Sequence, residues 1–335
     1  MTDSSVDILE NDILALAPDL LASLLKDHTT QGNIFWATDN YARNGLGYRF
    51  SDQITVESIT GDNGNVIVPR SLKSRQQQQQ RSREMAEVFT PSWICNKQNN
   101  LVDNAWFGRE NVFNTETDLP DGSHSWLPSE GKIEFPDGKS WRDYVTENRL
   151  EITCGEAPYL ASRYDTVTGS PLPIEMRIGL LDRKLRIVSE NTDSSGQWLA
   201  AAKAALRSTY GYEWQGDNLI LARENILYTV IDYYRAKFDR DLPKQSLPGL
   251  AYIISWNIWQ MDGLKGVIPD SCGERRTIVP DLFGQTETIS LCKGCKNGNI
   301  RDHNGTYALI VDWPKDVTSS QVKHLKPIRF IDLLK

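Results

Sequence analysis

The stretch Arg149-Leu-Glu-Ile-Thr-Cys-Gly-Glu-Ala-Pro-Tyr-Leu-Ala-Ser-Arg-Tyr-Asp165 constrains the fold of this chain more than any other. A short apolar run ends in a carboxylate, Glu151. A tight Cys154-Gly155-Glu156-Ala157-Pro158 turn follows, and the residues near 158–164 read as the start of a helix. A strand, a turn and a helix with an acid at the strand end form the geometry that holds a nucleoside-type ligand at the carboxyl edge of a parallel sheet. An α/β chain is therefore expected.

Composition sets the outer limits. At 335 residues the chain can bury a large core, and 39% hydrophobic with 24% charged residues is a globular balance. No apolar run approaches the roughly 20 residues that cross a bilayer, so no membrane partner is expected. The first residues lack the basic and apolar regions of a signal peptide. An odd number of cysteines, 5, points to a reducing, cytoplasmic setting. The net charge of −7 argues against the chain as a whole gripping nucleic acid. Locally, Lys73, Arg75, Arg81 and Arg83 flank the run Gln76 to Gln80. That segment reads either as a solvated helix or linker or as a basic arm on a nucleic-acid backbone.

Apolar spacing predicts helices over 8–27 with a break near Pro18, and further helices over 92–106, 196–207 and 218–238. The face expected to be buried on 92–106 is Ile94, Leu101, Val102, Ala105 and Trp106. On 218–238 it is Leu219, Ala222, Ile226, Val230, Ile231 and Tyr234. Thr90-Pro91 reads as a helix start, with a capping hydroxyl and proline in the first turn. Strands are expected at 149–153 and 209–214, whereas 251–259 fits helix or strand. Residues 107–145 read as an extended surface insertion. The chain divides into 1–84, an N-terminal helical arm and linker; 85–268, the core; and 269–335, a Cys-containing C-terminal segment.

Three pieces in order, Glu87-Val-Phe-Thr-Pro91, Leu150-Glu-Ile-Thr-Cys-Gly-Glu-Ala-Pro-Tyr159 and Tyr210-Gly-Tyr-Glu-Trp-Gln-Gly-Asp-Asn-Leu219, resemble the cofactor half of the S-adenosylmethionine-dependent DNA adenine-N6 methyltransferases of restriction-modification systems. The first resembles that family's TP motif and the second its LEPxCGxGxF loop. The third resembles its ribose-binding acid with the helix after it. The order is that of the gamma arrangement, and the resemblance covers residues 85–265. It implies a Rossmann-like methyltransferase core and a methylase (M) subunit that transfers a methyl group to adenine N6 in double-stranded DNA. Further partners implied are a second methylase or specificity subunit and a restriction endonuclease. By the same resemblance Glu213 holds the ribose hydroxyls, Glu151 the ammonium of the methionine tail, and Thr90 and Pro91 the tail carboxylate. Cys154 and Gly155 line the loop, where a side chain at 155 would occupy cofactor space, and Asp262 contacts the adenine.

Two departures accompany it. Ala157 stands where the family's loop has a second glycine. The catalytic (Asn/Asp/Ser)-Pro-Pro-(Tyr/Phe/Trp) string is missing, and Asp312-Trp313-Pro314-Lys315 is the nearest to it. Asp312 and Pro314 are thus weak catalytic candidates, the sheet is expected to be incomplete, and a partner chain is expected to complete the enzyme. The alternative is a non-catalytic cofactor- or DNA-binding subunit, or a decayed methylase.

Smaller signals remain. Cys272, Cys292, Cys295 and His303 form C-x19-C-x2-C-x7-H, either a zinc site or unrelated reduced thiols. Asp121, Glu130 and Lys132 match a loose PD…ExK pattern, which would make the chain a magnesium-dependent nuclease; a solvated turn is the plainer reading. His28, His124 and His324 have no evident partners. Trp214, Trp256 and Trp259 read as core.

Overall fold

The computed structural model describes residues 6–281, 284–314 and 325–334. It opens with α1 (Glu10–Leu16) and α2 (Leu20–Leu25), broken at Pro18 as the spacing predicts, and a short α3 (Val56–Ile59). The glutamine-rich run is a helix, α4 (Arg75–Met85), started by a Ser74 capping box and closed by Ala86 in the left-handed conformation. Next come α5 (Ser92–Phe107), β1 (Asn114–Asp118), β2 (His124–Pro128), α6 (Trp141–Val145) and β3 (Arg149–Glu151). They are followed by α7 (Leu180–Asn191), α8 (Ser195–Arg207), β4 (Thr209–Glu213) and α9 (Gly216–Phe238). The rest comprises α10 (Leu247–Asn257), β5 (Ile258–Gln260), β6 (Arg275–Asp281), β7 (Gly284–Ser290), α11 (Lys293–Asn297), β8 (Leu309–Ile310) and β9 (Ile328–Arg329).

The chain is α/β. Strands β3, β4 and β5 form a parallel sheet in that order, with Glu151 opposite Gly211 and Glu213 opposite Gln260. Parallel neighbours need crossovers, here α7 and α8 between the first pair and α9 and α10 between the second. β3 is an edge strand, and Leu150 and Ile152 beside it are exposed. The ambiguous 251–259 segment is both things in turn, the end of α10 and then β5. Residues 107–145 hold the β1–β2 antiparallel hairpin and α6, so the expected loop is partly ordered into elements.

The central helix α9 buries its expected apolar face and nearly everything else, including Asp217, Arg223 and Glu224. Arg223 is the latch for the N-terminal helices. Its Nε and Nη2 donate to the carbonyls of Ile258 and Ser255 at 2.8 and 3.1 Å, while Nη1 reaches Lys26 O at 3.0 Å and also Leu24 O. Those are the last carbonyls of α2 and α10, which a helix leaves unsatisfied. Ile13, Leu20, Leu21 and Leu24 belong to the same hydrophobic cluster as Leu219, Ile226 and Leu250. Residues 8–25 are therefore part of the core rather than a detached arm.

Three local expectations fail. Residues 158–164 are not a helix. Thr153, Gly155 and Ala157 all have positive φ (46°, 53° and 62°), which turns the chain repeatedly, and the next α-helix begins only at Leu180. Leu180 N donates to Tyr159 O at 2.8 Å, so α7 takes the place expected for the missing helix. Second, α5 does not bury the predicted face. Leu101 and Val102 are exposed, while Asn96, Asn99, Asn100 and Asp103 are buried. They face Arg183 of α7, whose Nη1 lies 2.6 Å from Asp103 and whose Nη2 donates to Asn96 and Asn100 at 2.9 and 2.8 Å. Third, Pro91 is the N-cap of α5 rather than its first helical residue, and Thr90 makes no side-chain cap.

Candidate functional site

Glu151 and Glu213 end neighbouring parallel strands, β3 and β4, with the 153–157 turn over them. Both are buried, with 8% and 6% of their surface exposed. Glu213 Oε2 accepts the Gly155 N–H at 2.9 Å and Oε1 accepts Gln215 N–H at 3.2 Å. Glu151 Oε1 accepts the Tyr159 N–H at 3.4 Å, and its buried Oε2 has no hydrogen-bond partner. Burial pushes Glu151 well above the usual carboxylate range; the Tyr159 and Leu160 N–H groups oppose this and the nearby Glu213 charge adds to it. Glu213 is raised for the same first reason, against the Gly155, Gln215 and Trp214 N–H groups. Two buried acids without a basic partner are costly. The arrangement suits a ligand that brings its own hydroxyl or ammonium donors.

The turn is held from both sides. Gly155 carries φ +53°, and a Cβ there would sit 3.4 Å from the Phe89 ring. Glycine is thus favoured by the left-handed backbone, which Thr153 and Ala157 share at a strain cost, and what faces it is Phe89 of the Glu87–Pro91 stretch. Cys154 corrects its assignment: its N–H bonds Tyr212 O at 2.8 Å and its side chain packs in the core beside Gly211, so only its backbone touches the loop. Glu156 is wholly buried, accepting from Arg70 N at 2.6 Å and Tyr164 Oη at 2.6 Å.

At the start of α5, the Ser92 N–H is already taken by Asp165 Oδ2 at 2.6 Å, and Thr90 O accepts from the Thr166 hydroxyl at 3.3 Å. The backbone donor expected at the helix start after Thr90-Pro91, the Ser92 N–H, is therefore spent on the 165–168 turn. Asp262 lies just beyond β5, but its Oδ1 caps the Leu264 and Lys265 N–H groups at 3.0 and 3.2 Å, and Oδ2 is 3.3 Å from Lys265 Nζ.

The residues that sequence reasoning missed are Glu87, Asp217 and Arg81. Arg81 Nη2 lies 2.6 Å from Glu87 Oε2 and 2.7 Å from Asp217 Oδ2. Asn218 and Tyr41 bond the same two acids at 3.1 and 2.7 Å. This network fixes Glu87–Pro91 against the first turn of α9, directly after Glu213. Glu87 stood inside a quoted motif, and an acid six residues from Arg81 was the available signal. The pairing also changes the basic segment. Arg81 is buried, as is Lys73, which donates to Val68 O at 2.7 Å with Asp217 3.9 Å away; of the four cations only Arg75 and Arg83 face solvent.

Asp312 and Pro314 are exposed and lie at the wrong edge. Val311 O accepts from the Tyr210 hydroxyl at 3.3 Å and Trp313 Nε1 donates to Asn257 at 2.7 Å. Tyr210 and Asn257 mark the amino ends of β4 and β5, opposite to Glu151 and Glu213. These two residues are not a degenerate catalytic motif for that site. Lys315 and His324 lie outside the described residues.

The nuclease pattern also dissolves. Asp121 sits in the β1–β2 turn accepting from Ser123 N and Oγ at 2.9 and 2.6 Å, and Asp121, Glu130 and Lys132 are all exposed. His28 is half-buried, stacked on Trp256 at 4.0 Å and bonded to Ser255 at 2.9 Å. Burial, helped by Arg223 and Lys26, pushes it down to about 3, so it is neutral. His124 pairs with Asp118 at 2.7 Å. Trp256 and Trp259 are core.

The cysteine pattern does converge. The β6–β7 hairpin pairs Arg275 with Ser290, which returns Cys292 to Cys272. Cys272 Sγ is 3.2 Å from Cys292 Sγ, 3.4 Å from Cys295 Sγ and 3.2 Å from His303 Nδ1. The other two sulfurs lie 3.5 and 3.6 Å from that nitrogen. Metal–sulfur bonds of about 2.3 Å give a tetrahedron with edges of about 3.8 Å, and the four atoms, all within 4.8 Å of one another, are close enough together to hold a metal ion such as zinc. Behind them, the Tyr307 hydroxyl accepts the backbone N–H of His303 at 2.8 Å and donates to Ile300 O at 3.0 Å, which fixes the turn that carries the histidine. Gly294 allows the closure: a Cβ there would come 2.7 Å from His303 Nδ1.

Comparison of the chain with models of known families, with curated proteins and with solved structures finds no match. No helix among the described residues is long and apolar enough to cross a membrane.

Proposed function

We propose that this chain is the S-adenosylmethionine-binding part of a DNA adenine-N6 methyltransferase of a restriction-modification system, with its methyl-accepting side supplied by another chain. The observation that carries the reading is the pair Glu151 and Glu213 at the carboxyl edge of adjacent parallel strands, buried, without a basic partner, and with Glu151 Oε2 unsatisfied. Parallel sheets bind ligands at that edge. Such acids fit a ligand with ribose hydroxyls and an ammonium group better than any phosphate, which they would repel. When bound, the cofactor supplies a methyl group on a sulfonium centre. In this reading Glu213 accepts the ribose hydroxyls and keeps the Gly155 backbone in place, while Glu151 accepts the ammonium. Phe89 and the Arg81–Glu87–Asp217 network hold the wall of the site rigid, the positioning on which methyl transfer depends. The exposed position of Asp312 and Pro314 at the opposite sheet edge favours the partner-chain form of the proposal.

In the same reading the Cys272, Cys292, Cys295 and His303 set holds zinc as a closed, structural site with no open position for chemistry.

Calorimetric titration of the full chain with S-adenosylmethionine tests the first proposal. Saturable heat is expected, with at least about tenfold weaker binding for Glu213→Ala, a loss of about 1.4 kcal/mol. No heat with the wild-type chain overturns it. Methylation of duplex DNA is expected only when a second chain is added; activity of this chain alone would refute the division of labour.

A further inference from the structure

A cavity of about 1180 Å³ lies between the first two turns of α7, the last turns of α9, the 163–177 segment and the β1–β2 hairpin. None of Glu151, Gly155, Glu213 or the Cys272 cluster lines it, so it is separate from both sites above. Its volume is at or above the upper end of the range for small-molecule sites.

The wall combines two chemistries. Phe113, Trp126 and Tyr233 contribute flat rings, and Arg163 and Arg177 contribute guanidinium groups. Nε of Arg163 and Nη2 of Arg177 converge on a single acceptor, Asp232 Oδ2, at 3.1 and 2.8 Å. Each arginine side chain is more than nine-tenths buried, at 9% and 8% exposure. Each also keeps a buried Nη1 with no acceptor. Asp182, a neighbouring acid, holds the Ser162 and Gly179 N–H groups through Oδ2 at 2.8 and 3.1 Å, leaves its buried Oδ1 without a hydrogen-bond partner and supports the Arg177 charge, and Glu175 and Asp239 also line the wall. Two guanidiniums thus share one carboxylate oxygen, in a chain whose overall charge is −7. A buried guanidinium N–H with no acceptor is costly, and an anion entering the cavity can complete both. Guanidinium pairs match the bidentate geometry of phosphate, and rings beside them match a stacked base.

We infer that this cavity binds a mononucleotide unit, its phosphate at the Arg163–Arg177 pair and its base against the aromatic wall. The unit is either a free nucleotide or one residue of a single DNA strand, and the two sources share the same chemistry.

The test is calorimetric titration of the full chain with S-adenosylhomocysteine in excess, so that an adenosine pocket at Glu213 is already filled. The probes are dAMP, inorganic phosphate, deoxyadenosine and a short single-stranded oligonucleotide. Saturable binding of dAMP is expected, at least about tenfold tighter than phosphate or deoxyadenosine alone, and weakened about tenfold by Arg177→Ala. Asp232→Asn removes the competing anion while keeping its shape and is expected to tighten dAMP binding several-fold, a gain that misfolding cannot produce. An oligonucleotide that binds with the same responses to both substitutions identifies the source as a strand; dAMP binding without it identifies a free nucleotide. No saturable binding of either, equal affinity for dAMP and phosphate, or indifference to both substitutions overturns the inference. Since the Glu213 site is filled throughout, a negative result leaves the methyl-donor proposal standing.

Discussion

Glu10 and Glu224 show at single-residue scale how this core treats charge. Both are about 1% exposed, and Glu10 Oε1 and both Glu224 oxygens lack partners. Burial pushes Glu10 up to about 8, its own backbone N–H opposing and Asp7 adding to the rise. Glu224 is raised well above its usual value by burial first and by Glu10 and Asp7 after it, with Arg163 the opposing charge. A carboxyl raised on folding stays protonated in the native state while the unfolded chain ionises. Stability is therefore greatest below the unfolded value of 4.5 and falls as pH rises from there toward about 8. The expected slope is roughly 1 kcal/mol per pH unit for each such group. Thermal melts between pH 5 and 8 should show a falling midpoint, and Glu10→Gln should flatten the fall and raise the midpoint at pH 8. An unchanged slope in the variant would sink this account. Arg223 is the opposite case, a buried charge whose donors end on backbone carbonyls of α2 and α10 and on Ile258. Arg223→Met leaves those carbonyls unsatisfied, at about 1–3 kcal/mol each where water cannot replace it. A drop in unfolding free energy of several kcal/mol is expected in a denaturant titration.

At the scale of elements, the Cys272, Cys292, Cys295 and His303 set can hold a metal ion within a polar stretch. Among the described residues of 267–310, Ala308, Leu309 and Ile310 join the main core, and the separate cluster is Val267, Cys272 and Cys292, with Tyr307 packed on it. A bound ion would supply the folding energy that such a cluster cannot. Chelation, or Cys295→Ser, is expected to reduce metal content to background and abolish amide protection across 267–310, while α9 and α10 keep theirs. Metal content equal to background in the untreated chain would refute the assignment. The elements also show what could be read in advance. Pro18 and the apolar periodicity of 218–238 are local signals, and α1, α2 and α9 appeared where they pointed, whereas the glutamine-rich segment, open between helix and linker in the sequence, is the helix α4. The cysteine spacing was local enough in chemistry to survive too. By contrast α7 carries Arg183 and Lys184 on its buried side, with Lys184 donating to Ser208 Oγ and O at 2.7 and 2.9 Å, so it did not look like a core helix. The asparagine face of α5 was hidden for the same reason. Its apolar residues suggested one face, but the partner that decides the matter, Arg183, is remote in sequence. Left-handed Thr153 and Ala157 removed a helix that composition alone allowed.

At the scale of the whole molecule, the question is how a chain of net charge −7 would engage DNA. The segment best suited to it, residues 73–83, loses half its cations to the fold, because Arg81 and Lys73 are turned inward to Asp217 and Glu87. The same contacts tie Glu87–Pro91 to α9, so the charge that might have met phosphate instead stabilises the wall of the Glu151–Glu213 site. Only Arg75 and Arg83 of the original four remain for the surface. Each phosphate neutralised contributes about −0.9 to the slope of log binding constant against log salt. The double variant Arg75→Gln, Arg83→Gln is therefore expected to change that slope by no more than about 2. Fluorescence anisotropy with labelled duplex DNA between low and moderate salt measures it. A larger change would mean that α4 leaves its buried ion pairs when DNA binds, releasing Arg81 and Lys73. In that event the Arg81–Glu87–Asp217 network would be a switch between cofactor wall and DNA contact, and the salt slope of an Asp217→Asn variant should steepen relative to wild type. If the slope change stays within two phosphates, the network is a fixed wall.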